Sequence, residues 1–145
     1  MEEFFNTITS GFHKEELPVP PSRMNVLVLA YIGDTVYDLF VRTYLVHHHN
    51  ENAHGLHMRS IGIVKAGAQA NTLEGIYEYL TEQEKAVYRR GRNAKPATVP
   101  KNAQLGDYHR ATGFEAVLGY LYLEGDYARL LDVLKRTIDE WGKER

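Results

Sequence analysis

Two acidic side chains stand where acids are ordinarily excluded. Asp34 lies in Leu29-Ala30-Tyr31-Ile32-Gly33-Asp34-Thr35-Val36-Tyr37-Asp38, within the apolar run of residues 26–40. Glu115 lies in Thr112-Gly113-Phe114-Glu115-Ala116-Val117-Leu118-Gly119-Tyr120, again one acid among small and apolar neighbours. Burying an ionised carboxylate without a partner is costly. Each acid therefore needs a cation, hydrogen-bond donors or a cleft at its position. If both segments are helices and pack together, the two carboxylates converge and can hold a hard, oxygen-preferring cation such as magnesium. Such an ion activates water and stabilises a phosphoryl transition state. The competing reading pairs each acid with a nearby Arg or Lys, and helix spacing alone favours that pairing.

Two further clusters have chemical potential. Lys85, Arg89, Arg90, Arg92, Lys95 and Lys101 follow one another with no acid between the first and the last, and Asn93 and Asn102 add neutral donors. Side chains of this kind make most contacts to nucleic-acid phosphates. Cations at a helix C-terminus also complement its dipole, which accounts for Arg89 and Arg90 but not for the basic residues that continue beyond them. His47, His48, His49, His54 and His57 have a spacing that can bind zinc or nickel. They also suit a polar surface turn, which is the favoured reading. Asp38 and Arg42 are spaced for an ordinary i, i+4 ion pair.

The elements that must position these groups are helical. The chain has 145 residues, 43% hydrophobic and 25% charged, which suits one domain around one core. A formal charge of −2 gives no global basic signature, so any nucleic-acid contact has to come from local clustering. The absence of cysteine excludes disulfides and thiolate-bound metals, in keeping with a cytoplasmic protein. No signal peptide and no membrane span are expected.

Residues 1–16 can form a short amphipathic helix through Phe4, Phe5, Ile8 and Phe12. Leu17-Pro18-Val19-Pro20-Pro21 stops it, and Ser22 is placed to cap the next helix. A long, central helix is expected over residues 23–47, with Gly33 marking close approach of another backbone rather than a break. Shorter helices are expected over residues 53–62 and 63–80. Thr81-Glu82-Gln83-Glu84 reads as a capping box for a helix that ends at Gly91. Residues 92–107 form a long irregular stretch, a length usually reserved for function. Helices over residues 108–123 and 127–141 complete an all-α reading, joined by Glu124-Gly125-Asp126.

Taken in order, Tyr31-Ile32-Gly33-Asp34-Thr35-Val36 and Phe114-Glu115-Ala116-Val117-Leu118-Gly119 resemble the two signature blocks of ribonuclease III domains. The intervening Arg90-Gly91-Arg92-Asn93-Ala94-Lys95 is similar to the Mini-III ribonucleases, short bacterial relatives without a double-stranded-RNA-binding domain. The resemblance covers about residues 24–141. It implies a ribonuclease III-type endonuclease domain, a helical bundle around the signature helix, over residues 1–145 with 1–21 as a peripheral segment. Two family carboxylates are replaced, by Ala30 and Thr112, as in the Mini-III pattern.

The resemblance implies Glu115 as a metal ligand, and Asp34 as the group that positions the attacking water or shares the ion. It implies Mg2+ as cofactor and a homodimer in which Tyr31 enters the partner. The implied substrate is duplex RNA, specifically precursor 23S ribosomal RNA, cut by hydrolysis to 5′-phosphate and 3′-hydroxyl ends. A ribosomal protein could serve as helper. Arg89, Arg90, Arg92, Asn93, Lys95 and Lys101 are the expected RNA contacts. The alternative is a non-catalytic RNA-binding or ribosome-associated module on the same fold, motivated by Ala30 and Thr112. A histidine-metal phosphohydrolase using His54 and His57 is a further rival.

Overall fold

Helix borders are set by capping chemistry. In the computed structural model, which describes residues 2–12, 16–96, 98–101 and 104–143, the first helix, α1, spans Glu2–Ser10. It ends at a turn through Gly11, earlier than residue 16, and residues 1 and 13–15 of that expected helix lie outside the described residues. Phe5 anchors α1 against the rings of Tyr122, at 4.5 Å, and Tyr127, at 5.2 Å.

Ser22 does not cap the long helix. The prolines instead initiate a single 3₁₀ turn at Pro21–Arg23, and buried Met24 separates it from helix α2, Val26–His48. Asn25 is the cap, its side-chain oxygen accepting from the Leu27 N–H at 2.8 Å. Helix α3, Ala53–Val64, is capped by Asn52. The break before α4, Ala66–Ile76, falls at Lys65, whose extended backbone (ψ 154°) interrupts the ladder, and not at Gly62. A 3₁₀ turn at Tyr77–Tyr79 leads to α5, Glu82–Asn93, which opens on the expected Thr81–Glu84 capping box. Gly91 does not end α5; it is a buried interior residue. Helix α6, Leu105–Glu124, starts before residue 108 and ends on Gly125 in the left-handed conformation, φ 77°. Asp126 then caps α7, Tyr127–Ile138. No strand occurs among the described residues, and none of their helices is long and apolar enough to cross a membrane.

The centre of the bundle is the α2–α6 pair. On α6, residues 111–121 are buried apart from Glu115 and Tyr120, and the helix packs against α2, α4, α5 and α7. Tyr37 of α2 meets Phe114 of α6 edge to face at 5.0 Å. The α2 backbone fits against α6 through two reciprocal glycines. A Cβ on Gly33 would run into the Glu115 carbonyl, and a Cβ on Gly119 would run into that of Leu29. The close approach expected at Gly33 is therefore real, and its partner is α6. A second contact of this kind joins α5 to α6, where a Cβ on Gly91 would lie 2.7 Å from the Gly113 Cα. One face of α2 stays open: Val28, Tyr31 and Leu39 are 48%, 80% and 57% exposed.

Gly33→Ala adds a methyl group that only a shift of backbone against backbone can accommodate. Overpacking of this type costs about 3 kcal/mol or more where no side chain can yield. The variant is expected to lose at least that much in urea-induced unfolding, whereas Gly62→Ala, with open space at its Cβ, is expected to lose none.

Candidate active site

The glycine seam delivers the two acids to one place. Asp34 follows Gly33 on α2, and Glu115 supplies the carbonyl against which Gly33 rests. Their carboxyl groups come within hydrogen-bond reach of each other. They share an open cleft of about 760 Å³ with Lys65, Gly67, Gln69, Pro100, Gln104, Asp107, Tyr108 and Thr112, among others. Asp34 is exposed at the mouth, and Glu115 sits deeper. Neither acid forms an ion pair with an Arg or Lys among the described residues, so the competing pairing does not hold there. The surrounding acids are paired differently: Asp38 meets Arg42 at 3.0 Å as the spacing suggests, and Asp107 meets Arg110 at 2.8 Å.

Burial first, then the hydrogen bond and charge of Asp34, push the Glu115 carboxyl up to about 9, against the partial opposition of a hydrogen bond from Gln69. Two carboxylates this close favour sharing a proton over full ionisation. A cation could take the place of that proton. The donor set suits a hard ion that keeps several of its waters: two carboxylates, an open cleft and no soft ligand. Gln69 donates to Glu115 at 3.3 Å from beside the cleft. It is 3% exposed, and its Oε1 is buried without a hydrogen-bond partner. No group of three or more His, Asp or Glu that could hold a metal occurs among the described residues, and the third acid of the cleft, Asp107, is paired with Arg110.

The two positions that depart from the ribonuclease III pattern are neutral and settled. Ala30 is buried at 7% exposure, and the Thr112 hydroxyl donates to the Tyr108 carbonyl at 3.0 Å. The basic residues spread along the end of α5 and beyond it. Arg89, Lys95 and Lys101 are exposed. Arg92 lies 5.5 Å over the Tyr88 ring and donates to Asn93. Arg90 donates to the Met24 carbonyl at 3.0 Å, tethering α5 to the entry of α2. None of these six lines the cleft, although Pro100 and Gln104 from the same connection do. Asn102 lies outside the described residues. The histidines do not converge. His48 stacks on Tyr44 and bonds its carbonyl at 2.8 Å, His49 is 3.8 Å from Glu51, and His57 lines a separate small pocket.

Sequence reasoning passed over Lys65, Gln69 and Asp107. Gln69 carried a usable signal: it is the one polar residue in Ala66-Gly67-Ala68-Gln69-Ala70, the same pattern that marks Asp34. Lys65 and Asp107 carried none, because their approach to the cleft depends on how the α3–α4 break meets the start of α6.

The elevated Glu115 carboxyl links stability to pH. A carboxyl held near 9 in the folded chain and near 4.5 when unfolded contributes stability that is complete below about 4.5 and disappears as pH rises through about 9. With divalent cations chelated, the thermal midpoint should fall across that window. Glu115→Gln should flatten the fall and raise the midpoint on the alkaline side. Parallel melting curves for the two proteins between pH 5 and pH 9 would contradict this burial.

A ribonuclease III domain model matches residues 27–126. The Mini-ribonuclease 3 of Thermoanaerobacter sp. (strain X514) is 47% identical over 115 residues, covering 79% of this chain and 81% of that protein. The Mini-ribonuclease 3 of Clostridium tetani is 46% identical over 140 residues, covering 96% and 89%. A crystal structure of a Fusobacterium nucleatum protein superposes with a TM-score of 0.72 at 26% identity, covering 81% of this chain and 93% of that one. With its two signature acids brought together on α2 and α6, the chain belongs to the ribonuclease III family, among the Mini-III ribonucleases.

Proposed function

We propose that this protein is a magnesium-dependent endoribonuclease that cleaves double-stranded RNA, with precursor 23S ribosomal RNA as its substrate. The observation that carries the reading is the convergence of Asp34 and Glu115, unpaired with any base, at an open cleft between α2 and α6. Glu115 and Asp34 would hold the cation. When bound, magnesium supplies Lewis-acid stabilisation of the phosphate and lowers the pKa of a water. In this reading Asp34, exposed at the mouth, orients the attacking water and accepts its proton. Attack at phosphorus breaks the P–O3′ bond, the departing O3′ takes a proton, and the ends are a 5′-phosphate and a 3′-hydroxyl.

In this reading Arg89, Arg92, Asn93, Lys95 and Lys101 hold the duplex backbone, which proteins recognise by shape rather than by base edges. Arg90 contributes mainly through its tether to Met24. The protein acts in the cytoplasm as a homodimer through the open face of α2. The support for that face is Tyr31, 80% exposed one turn before Asp34, with Val28 and Leu39 beside it. A ribosomal protein would assist by presenting the precursor.

Asp34→Asn and Glu115→Gln are each expected to reduce magnesium-dependent cleavage of a duplex by at least about a thousandfold while retaining the native circular-dichroism spectrum, as loss of an essential electrostatic group does. The second reading, a non-catalytic RNA-binding module, is favoured only by neutral Ala30 and Thr112, and predicts duplex binding with no product on a denaturing gel at any magnesium concentration.

The basic contacts have their own test. Lys95→Ala with Lys101→Ala should weaken duplex binding and lower the slope of log affinity against log salt by about two, one per lost phosphate contact. An unchanged slope would remove both residues from the RNA interface.

A further inference from the structure

Gln69 is a buried amide whose orientation is dictated by its neighbours. Its Nε2 donates to the Val64 carbonyl at 2.7 Å and to Glu115 Oε2 at 3.3 Å. Both partners are acceptors, so the NH₂ must face them, and Oε1 is left buried without a partner. Val64 is the last residue of α3, and Gln69 lies in the first turns of α4. One side chain therefore links the α3–α4 break to the deeper acid on α6. A methionine of similar length would fill the space, but the Val64 carbonyl and Glu115 would both lose their donor, so the amide serves the break and the acid together.

We infer that Gln69 is a positioning residue for the cation site: its amide holds the Glu115 carboxylate in one rotation so that Glu115 and Asp34 present a fixed pair to magnesium. The inference rests on the proposed magnesium-dependent reading and adds to it a third side chain, on a third helix, that touches neither RNA nor the reacting atoms. A carboxylate anchored at one oxygen loses little further freedom when it meets an ion. A free one must be ordered at that moment, and its affinity falls accordingly. Groups that orient a metal-binding carboxylate typically contribute about 10–100-fold to affinity.

The test uses the full chain with Gln69→Met, and Gln69→Leu as a second variant. Thermal midpoints are followed as magnesium chloride alone is titrated, and duplex cleavage is measured over the same range. Glu115→Gln identifies the part of the response that belongs to this site. The expected result is a chain that still folds, with a magnesium-free midpoint lowered by the lost bond to Val64, a magnesium requirement raised about tenfold or more, and turnover that recovers as magnesium saturates. A magnesium midpoint within about twofold of the wild type, well below that range, would overturn the inference and leave the proposed activity standing. Loss of the folded state in both variants would also overturn it, by making Gln69 a structural residue. If the wild-type chain shows neither a magnesium response nor cleavage, the proposed activity itself fails and the inference falls with it.

Discussion

At the Gly33–Gly119 seam the α2 and α6 backbones come so close that each helix lays a carbonyl where the other would carry a Cβ. The contact is backbone on backbone, so it has little of the tolerance that side chains provide. A packed interior absorbs small volume changes through rotamers, and none are available here. Everything that defines the candidate site follows from that spacing. Asp34 and Glu115 adjoin the seam, and the closeness of the two axes brings their carboxyl groups together at the cleft.

The rest of α6 is held in register by independent contacts, which is why the seam can keep its geometry. Gly91 and Gly113 bring α5 against the same helix two residues from Glu115. Gln69 links α4 to it directly. Farther away, Arg129 of α7 donates to both oxygens of buried Glu84 at 2.8 Å and to the Tyr79 carbonyl at 3.0 Å, and it pairs with Asp132 at 2.9 Å. That cluster is a fully partnered buried ion pair, the form in which a buried charge is tolerated. It holds the Glu84 carboxyl below the usual carboxylate range, even though burial alone would raise it. The site shows the opposite balance, with two acids facing each other and an amide oxygen left without a donor. The buried charge in the frame is thus met by an opposite charge, whereas the two acids of the cleft meet only each other and the Gln69 amide.

The helix borders show how far local chemistry reaches. The Thr81–Glu84 capping box needs only residues three apart in sequence, and it forms as read. Gly91 looked like a stop signal for α5 because glycine favours helix ends. Its actual role is to admit Gly113, a residue on another helix that no local window contains. Arg90 is similar: on charge alone it belongs with Lys95 and Lys101, yet part of its guanidinium is committed to the Met24 carbonyl. The same limit hid Lys65 and Asp107, whose approach to the cleft comes from the break between α3 and α4.

By itself the sequence determined that the fold would be helical, that Asp34 and Glu115 were out of place in their surroundings, and that Gly33 would meet another backbone. These are properties of short windows: periodicity, composition and the energy of burying a charge. Only the tertiary structure decided that the backbone meeting Gly33 is that of Glu115 itself, and that the acids answer to each other and not to arginines. It alone brought Gln69 against Glu115. The reason is physical. Partner choice between helices depends on which surfaces can approach within a backbone's radius, and that is settled by the whole packed set of helices at once.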